Sequence, residues 1–241
     1  MTSDLKSLGV RPGGVLMVHS SLSSLGYVSG GAATVIQSLL KVLGPTGTLA
    51  MPTHSWDVME AGCRVFDVRE TKSCVGAITE KFRKMPGALR SAHPSHSIAA
   101  IGPLAAELVA GHETCLTPCG IGTPYEKICR ANGQILFVGT TLDSNTAYHT
   151  VEAMAGLSYL MKPSADIFTI VDQAGEKKEL TVWRHEAGIP RRFSDWQDFL
   201  IREGVINAGK TGKARALLLE AAMFLDVMLD RVCKDPRMLR R

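Results

Sequence analysis

Apolar positions along the chain alternate between short unbroken runs and stretches at helical spacing. Val15 to Val18 is such a run and predicts a buried strand, whereas from Ala32 to Leu43 the apolar positions recur as on one face of a helix. Gly44, Pro45 and Gly47 end that helix, and Thr48 to Met51 predicts a second strand. Strand, helix and strand in this order imply neighbouring parallel strands joined by a right-handed crossover. The carboxyl ends of such strands are where α/β sheets hold ligands. Both strands run into His and Ser clusters, HSSLSS at His19 to Ser24 and PTHS at Pro52 to Ser55.

The alternation continues. Helices are expected over Val75 to Lys84, Pro103 to Ala110 and Tyr125 to Ala131, and extended segments over Ser97 to Ile101 and Gln134 to Val138. Beyond Pro163 the period becomes two. Ile167 to Val171 and Glu179 to Trp183 flank the turn-rich Asp172 to Glu176 and predict a hairpin. Helices near Asp195 to Glu203 and Lys213 to Arg231 are expected to close the chain. The fold class that follows is α/β: a mixed central sheet with flanking helices, a β-α-β start, and a C-terminal hairpin with two helices. No repeat and no polar linker divides the sequence, so residues 1–241 are expected to form a single domain.

Composition excludes several classes. With 45% hydrophobic and 21% charged residues the chain is globular rather than disordered. Lys and Arg number 27 against 23 Asp and Glu, a net charge of +4, and no helix carries a basic stripe interleaved with aromatics. No nucleic-acid partner is expected. Pro12 to Lys41 has Lys41 as its only charge, but glycines and serines interrupt it, so no membrane span is expected either. The start, MTSDLKSLGV, has an acid and no long apolar run, which points to the cytoplasm and to six cysteines held as thiols. Homo-oligomerisation is left open.

The candidate chemistry centres on Gly139 to Glu152, GTTLDSNTAYHTVE, where a strand ends and a polar turn leads into a helix. Asp143, Ser144 and Asn145 are all helix-capping residue types. On that helix His149 and Glu152, three apart, share a face, so the carboxylate can hold one imidazole nitrogen and leave the other as a base. The same spacing also suits an exposed ion pair with no chemistry. In SAHPSHS, Ser91 to Ser97, Pro94 blocks helical presentation of His93 and His96, and no acidic or cysteine partner lies near in sequence, so no metal is expected. Ligand hydrogen bonding and a structural histidine remain equal alternatives there.

His112, Cys115, Cys119 and Cys129 lack the C-x-x-C spacing of zinc knuckles and are expected as buried thiols beside a turn at Pro118 and Gly120. None of the six cysteines has a distinctive nucleophile setting. Gly204 to Thr211, GVINAGKT, matches the phosphate-loop pattern but follows the helical DWQDFLIRE rather than a strand. Gly204 is therefore expected to stop a helix, and Gly209 to Gly212 to turn into the last one. The Ser-rich loops on two adjacent strand ends instead favour a phosphate-bearing cofactor.

The ordered motifs LMVHSSLSSLGYVSGG (Leu16 to Gly31), GPTGTLAMPTHS (Gly44 to Ser55), PGALRSAHPSHSIAAIG (Pro86 to Gly102) and ILFVGTTLDSNTAYHTVE (Ile135 to Glu152) resemble the aminoglycoside 3-N-acetyltransferase family, the non-GNAT antibiotic N-acetyltransferases. The likeness runs on through GTPYEKI at Gly122 to Ile128. It implies acetyl-coenzyme A dependent transfer to an amine of an aminoglycoside, with no metal. By resemblance His149 is the catalytic histidine of N-T-x-x-H-x-x-E, with Glu152 and Asp143 orienting it. Ser20, Ser21 and Leu22 of the H-S-S-L loop, with Thr53, His54 and Ser97, are implied to line the coenzyme. The short segment His54 to Val68 and the net positive charge keep two alternatives open: an acceptor that is another amino sugar or small amine, and a non-catalytic coenzyme A binding protein.

Overall fold

The computed structural model describes residues 1–240. Its strands are β1 (Val15–Ser20), β2 (Thr48–Pro52), β3 (Val65–Asp67), β4 (Leu89–Arg90), β5 (Ile98–Ile101), β6 (Gln134–Val138), β7 (Asp166–Val171), β8 (Lys177–Val182), β9 (Ile206–Thr211) and β10 (Ala214–Glu220). Seven of them form one sheet in the order β4-β5-β2-β1-β6-β10-β9, and β3-β7-β8 form a second. The helices are α1 (Thr2–Leu8), α2 (Gly31–Leu43), α3 (Trp56–Glu60), α4 (Ala77–Phe82), α5 (Ala105–Val109), α6 (Pro124–Arg130), α7 (Ala147–Met154), α8 (Gln197–Arg202) and α9 (Ala221–Lys234).

The central strands are apolar at nearly every position because both faces of the large sheet are covered. Val15, Met17, Ile135 and Phe137 pack with Leu108, Ile128, Val151 and Phe224 on one face. Leu16, Val18, Leu136 and Val138 pack with Leu5, Val35, Leu39 and Phe82 on the other. β1 pairs in parallel with β2 on one side and with β6 on the other, while β10 joins β6 antiparallel. The β-α-β start thus runs as expected, and the sheet is mixed. Because the chain leaves β1 for β2 on one side and β6 flanks it on the other, a crevice opens at the carboxyl ends of these three strands.

Two expectations need correction. Lys213 to Arg231 is not one helix: Ala214–Glu220 is strand β10, buried between β6 and β9, and the helix begins at Ala221. Ala and Leu at ARALLL read locally as helix formers, but pairing with Phe137 and Leu136 of β6 overrides that preference. Gly209 to Thr211 belongs to edge strand β9 rather than to a turn into a helix, although Gly204 does end α8 with φ +71°. The hairpin of β7 and β8 stands as expected but in the separate small sheet, where β3 pairs with it in parallel.

A buried cation ties the two sheets together. Arg90 is 7% exposed and pairs with no carboxylate among the described residues. Its Nε donates to Thr53 Oγ1 (3.1 Å) and Ser97 Oγ (3.0 Å), its Nη2 to the Thr53 carbonyl (2.6 Å), and its Nη1 to the Thr71 carbonyl. The guanidinium also lies 4.8 Å above the Phe66 ring of β3. Burial pulls its pKa down to about 9, still charged at neutral pH.

Candidate active site

The crevice holds a cavity of about 320 Å³ lined by His19 and Ser20 from the end of β1, Pro52 and His54 after β2, and Thr140, Asn145 and His149 after β6. Glycine is required at its mouth. Gly139 sits at φ +68°, and a Cβ there would come within 2.3 Å of Ser24 Cβ in the serine loop.

The walls carry polar atoms that no other group among the described residues satisfies. His19 Nε2, Ser20 Oγ, His54 Nδ1, Thr140 Oγ1 and Asn145 Nδ2 are all sealed and without a partner within the protein. Buried polar groups are normally paired, so a cluster of unpaired ones around one cavity marks a ligand site. His54 has a defined tautomer. Tyr125 OH donates to the His96 carbonyl at 3.0 Å, so its single proton is used and His54 Nε2–H must be the donor in the 2.6 Å contact with Tyr125. His54 Nδ1 is left as an acceptor. Burial holds the His19 pKa down to about 3 and that of His54 well below the usual value, His54 also being depressed by His96, so both rings are neutral.

After β6 a short turn, Leu142–Ser144, leads to α7, and Asn145 Oδ1 accepts from the Ala147 amide at 3.2 Å. Helical spacing then places His149 Nδ1 2.6 Å from Glu152 Oε2. The pair is no surface ornament: Glu152 is fully buried. Its second oxygen, Oε1, accepts from Tyr159 OH and from Arg191 Nε, each at 2.9 Å. Burial pushes the Glu152 carboxyl up, but the His149 hydrogen bond and charge and the Arg191 charge outweigh that and leave it below the usual value. The carboxylate fixes Nδ1–H, so the lone pair of His149 is on Nε2. The His149 side chain keeps 20% of its surface exposed.

That ring stands at a boundary. A second cavity of about 280 Å³ shares His149, His96 and Trp56 with the first and extends to Glu60, Lys162, Arg184, His185, Glu186 and Arg191. Arg184 pairs with Asp166, which Arg64 also contacts, and Arg191 pairs with Glu152, whereas Glu60, Glu186 and Lys162 form no ion pair among the described residues.

The expected site residues separate into two groups. Ser20, His54 and His149 line the first cavity, with Glu152 behind His149. Thr53 and Ser97 do not: both have no exposed surface, and their hydroxyls serve Arg90. Ser21 and Leu22 lie outside the lining, and Ser21 Oγ is engaged with Ser23 and Ser24. Asp143 lines the cavity but does not hold His149. Its carboxylate accepts from the Ser194 amide (3.0 Å) and from Thr141 Oγ1 (3.3 Å), and the orienting contacts on Glu152 come from Tyr159 and Arg191 instead. Sequence reasoning missed Tyr159, Arg191 and His185. Arg191 lies 39 residues from Glu152, and no local pattern links the two.

No helix among the described residues is long and apolar enough to cross a membrane. The aminoglycoside 3-N-acetyltransferase family model matches residues 17–232. Aminoglycoside N(3)-acetyltransferase IX of Micromonospora chalcea is 37% identical over 219 residues, covering 84% of this chain and 75% of that protein. Aminoglycoside N(3)-acetyltransferase III of a Salmonella species is 39% identical over 174 residues, 65% of this chain and 60% of that one. The crystal structure of a histidine-to-alanine variant of aminoglycoside acetyltransferase AAC(3)-IVa in complex with apramycin superposes with a TM-score of 0.82 at 30% identity, over 98% of this chain and 92% of that chain. With the family pattern spanning nearly its whole length, the chain belongs to the aminoglycoside 3-N-acetyltransferase family.

Proposed function

We propose that the chain transfers the acetyl group of acetyl-coenzyme A to an amino group of an aminoglycoside, with His149 as the base. The observation that carries this reading is the position of His149 on the wall shared by two cavities. One is lined with unspent hydrogen-bonding groups that suit the amides of a pantetheine arm. The other carries the carboxylates of Glu60 and Glu186, which form no ion pair among the described residues and can receive an ammonium-bearing acceptor despite the chain's net charge of +4.

A free amine attacks the thioester carbonyl. As the C–N bond forms, His149 Nε2 takes the proton the nitrogen loses. It returns that proton to the sulfur as the C–S bond breaks, so the products are an amide and a free thiol. Glu152 stabilises the imidazolium in between, and Tyr159 and Arg191 stop the carboxylate from rotating away. Asn145 Nδ2, an unpartnered donor sealed in the same wall, would serve the oxyanion once ligand entry turns the amide outward.

Attack is direct, without an acyl-enzyme. Among the described residues no cysteine lines the donor-side cavity, and burial drives the Cys119 thiol well above its usual pKa and Cys129 to about 12. Six free thiols also suit a reducing cytoplasm as the place of action.

The test is thiol release from acetyl-coenzyme A with a panel of aminoglycosides, simple amines and nucleotide-linked amino sugars. Turnover with aminoglycosides is expected, falling by about 10² to 10⁴ in His149→Gln while coenzyme affinity is retained. Acetylation of only the anionic amino sugars would overturn the acceptor assignment, and an acetylated Cys or Ser trapped during turnover would overturn direct attack.

A further inference from the structure

We propose that His96, Cys119 and His185 form a binding site for one divalent transition-metal ion of the zinc class. The three come from separate parts of the chain: the loop between β4 and β5, the turn before α6, and the segment after β8. No sequence spacing joins them, yet the fold brings one ligand atom of each within 4.8 Å of the others. Bonds of about 2.0 Å to nitrogen and about 2.3 Å to sulfur put tetrahedral ligands roughly 3.5 Å apart, so a movement of about an ångström closes the triangle.

The groups are also short of partners. Both ring nitrogens of His185 are sealed from solvent and accept or donate no hydrogen bond among the described residues. Two orphaned nitrogens on one partly buried ring carry a desolvation cost that a metal bond would relieve. Cys119 has no exposed surface either. His96 is already oriented: Ser95 Oγ lies 2.8 Å from its Nδ1, which leaves Nε2 as the ligand atom, in the manner of metal-binding imidazoles held from behind.

The donor set suits the ion. Two neutral imidazoles and one thiolate form the borderline-soft combination that zinc favours over magnesium or calcium. Burial and the neighbouring His149 keep both His96 and His185 well below their usual pKa, so their lone pairs are free. The Cys119 thiol, pushed up by burial, would release its proton on binding the metal. The ring of His149 lies 4.6 Å from that of His185, so the ion would pin His96 and His185, which line the second cavity beside His149, to the turn at Cys119.

The test is titration of the metal-stripped full chain with Zn²⁺ against a chromophoric chelator, repeated with Co²⁺. One equivalent is expected to bind, with a thiolate-to-cobalt charge-transfer band and a rise in Tm. Cys119→Ser should abolish the band, and His185→Gln should weaken affinity by about 100-fold or more, while Cys129→Ser should change neither. Should Cys119→Ser fail to fold, His185→Gln and the cobalt band of the unmodified chain still decide. No binding of either metal, or binding unchanged in His185→Gln, would overturn the proposal and leave a packed cluster of neutral rings.

Discussion

Each oxygen of Glu152 has its own task, one on His149 and the other on Tyr159 and Arg191. The His149 ring is therefore oriented by a carboxylate held at both of its oxygens. Asn145 is divided in the same way: its Oδ1 accepts from the Ala147 amide at the start of α7, and its Nδ2 is buried in the cavity wall without a partner among the described residues. Asn145→Ala is expected to lower kcat by about 10² or more with KM little changed, as removal of an oxyanion donor does; a change confined to KM would remove Asn145 from that role. Buried histidines set the acid limit. His19 and His112 titrate near 3 and 4 in the fold because burial disfavours their charged forms, whereas the unfolded chain protonates them below about 6.5. The unfolded state thus binds more protons in that window, and stability falls as pH drops from about 6.5 towards 4. Urea midpoints measured across that range should decline with the uptake of up to about two protons from this pair, and NMR titration of either ring near 6.5 would contradict it.

Arg90 shows how one side chain decides the arrangement of several elements. Its fork joins β2, β5 and the loop at Thr71 while its face covers Phe66 of the small sheet. Removing it in Arg90→Met leaves the Thr71 carbonyl unpaired and the Thr53 carbonyl with Ser97 Oγ as its remaining side-chain donor, and should cost on the order of 2 kcal/mol in denaturant unfolding. Arg90→Lys should recover little of that loss, because an ammonium cannot reproduce the planar fork. Equal stability of the wild type and both variants would show that the contacts carry no weight. The Arg90 network also explains why Thr53 and Ser97 looked like ligand groups in the sequence. Hydroxyls beside strand ends suit a bound cofactor or a buried guanidinium equally well, and nothing local tells them apart. β1, α2, β2 and β6 were legible because each carries its own period. β10 was not, because ARALLL is shaped by the strands on either side of it, and β9 hid behind the exposed polar residues of an edge. His149 and Glu152 were legible for the opposite reason: their contact spans one helical turn.

Across the whole molecule the base depends on distant chain. β9 and β10 complete the large sheet beside β6, and α9 covers the face that carries α7. A chain cut after Glu203 would expose the edge of β6 and remove Phe224, Met228 and Val232 from the core. It is expected to lose cooperative unfolding by circular dichroism, and a sharp transition at the wild-type midpoint would show that the remaining strands suffice. The clamp on Glu152 has a further consequence, one of timing. A ribosome that has delivered the polypeptide through α7 has already released His149 and its acid, together with the hydroxyls of the donor-side cavity. Tyr159 follows soon after, but Arg191 is made 39 residues beyond Glu152, and the β10 that braces the strand beneath later still. A nascent chain halted between Glu152 and Arg191 would then hold the walls of the first cavity in outline without the clamp on Glu152, so the orientation of His149 is completed only after Arg191 has been made.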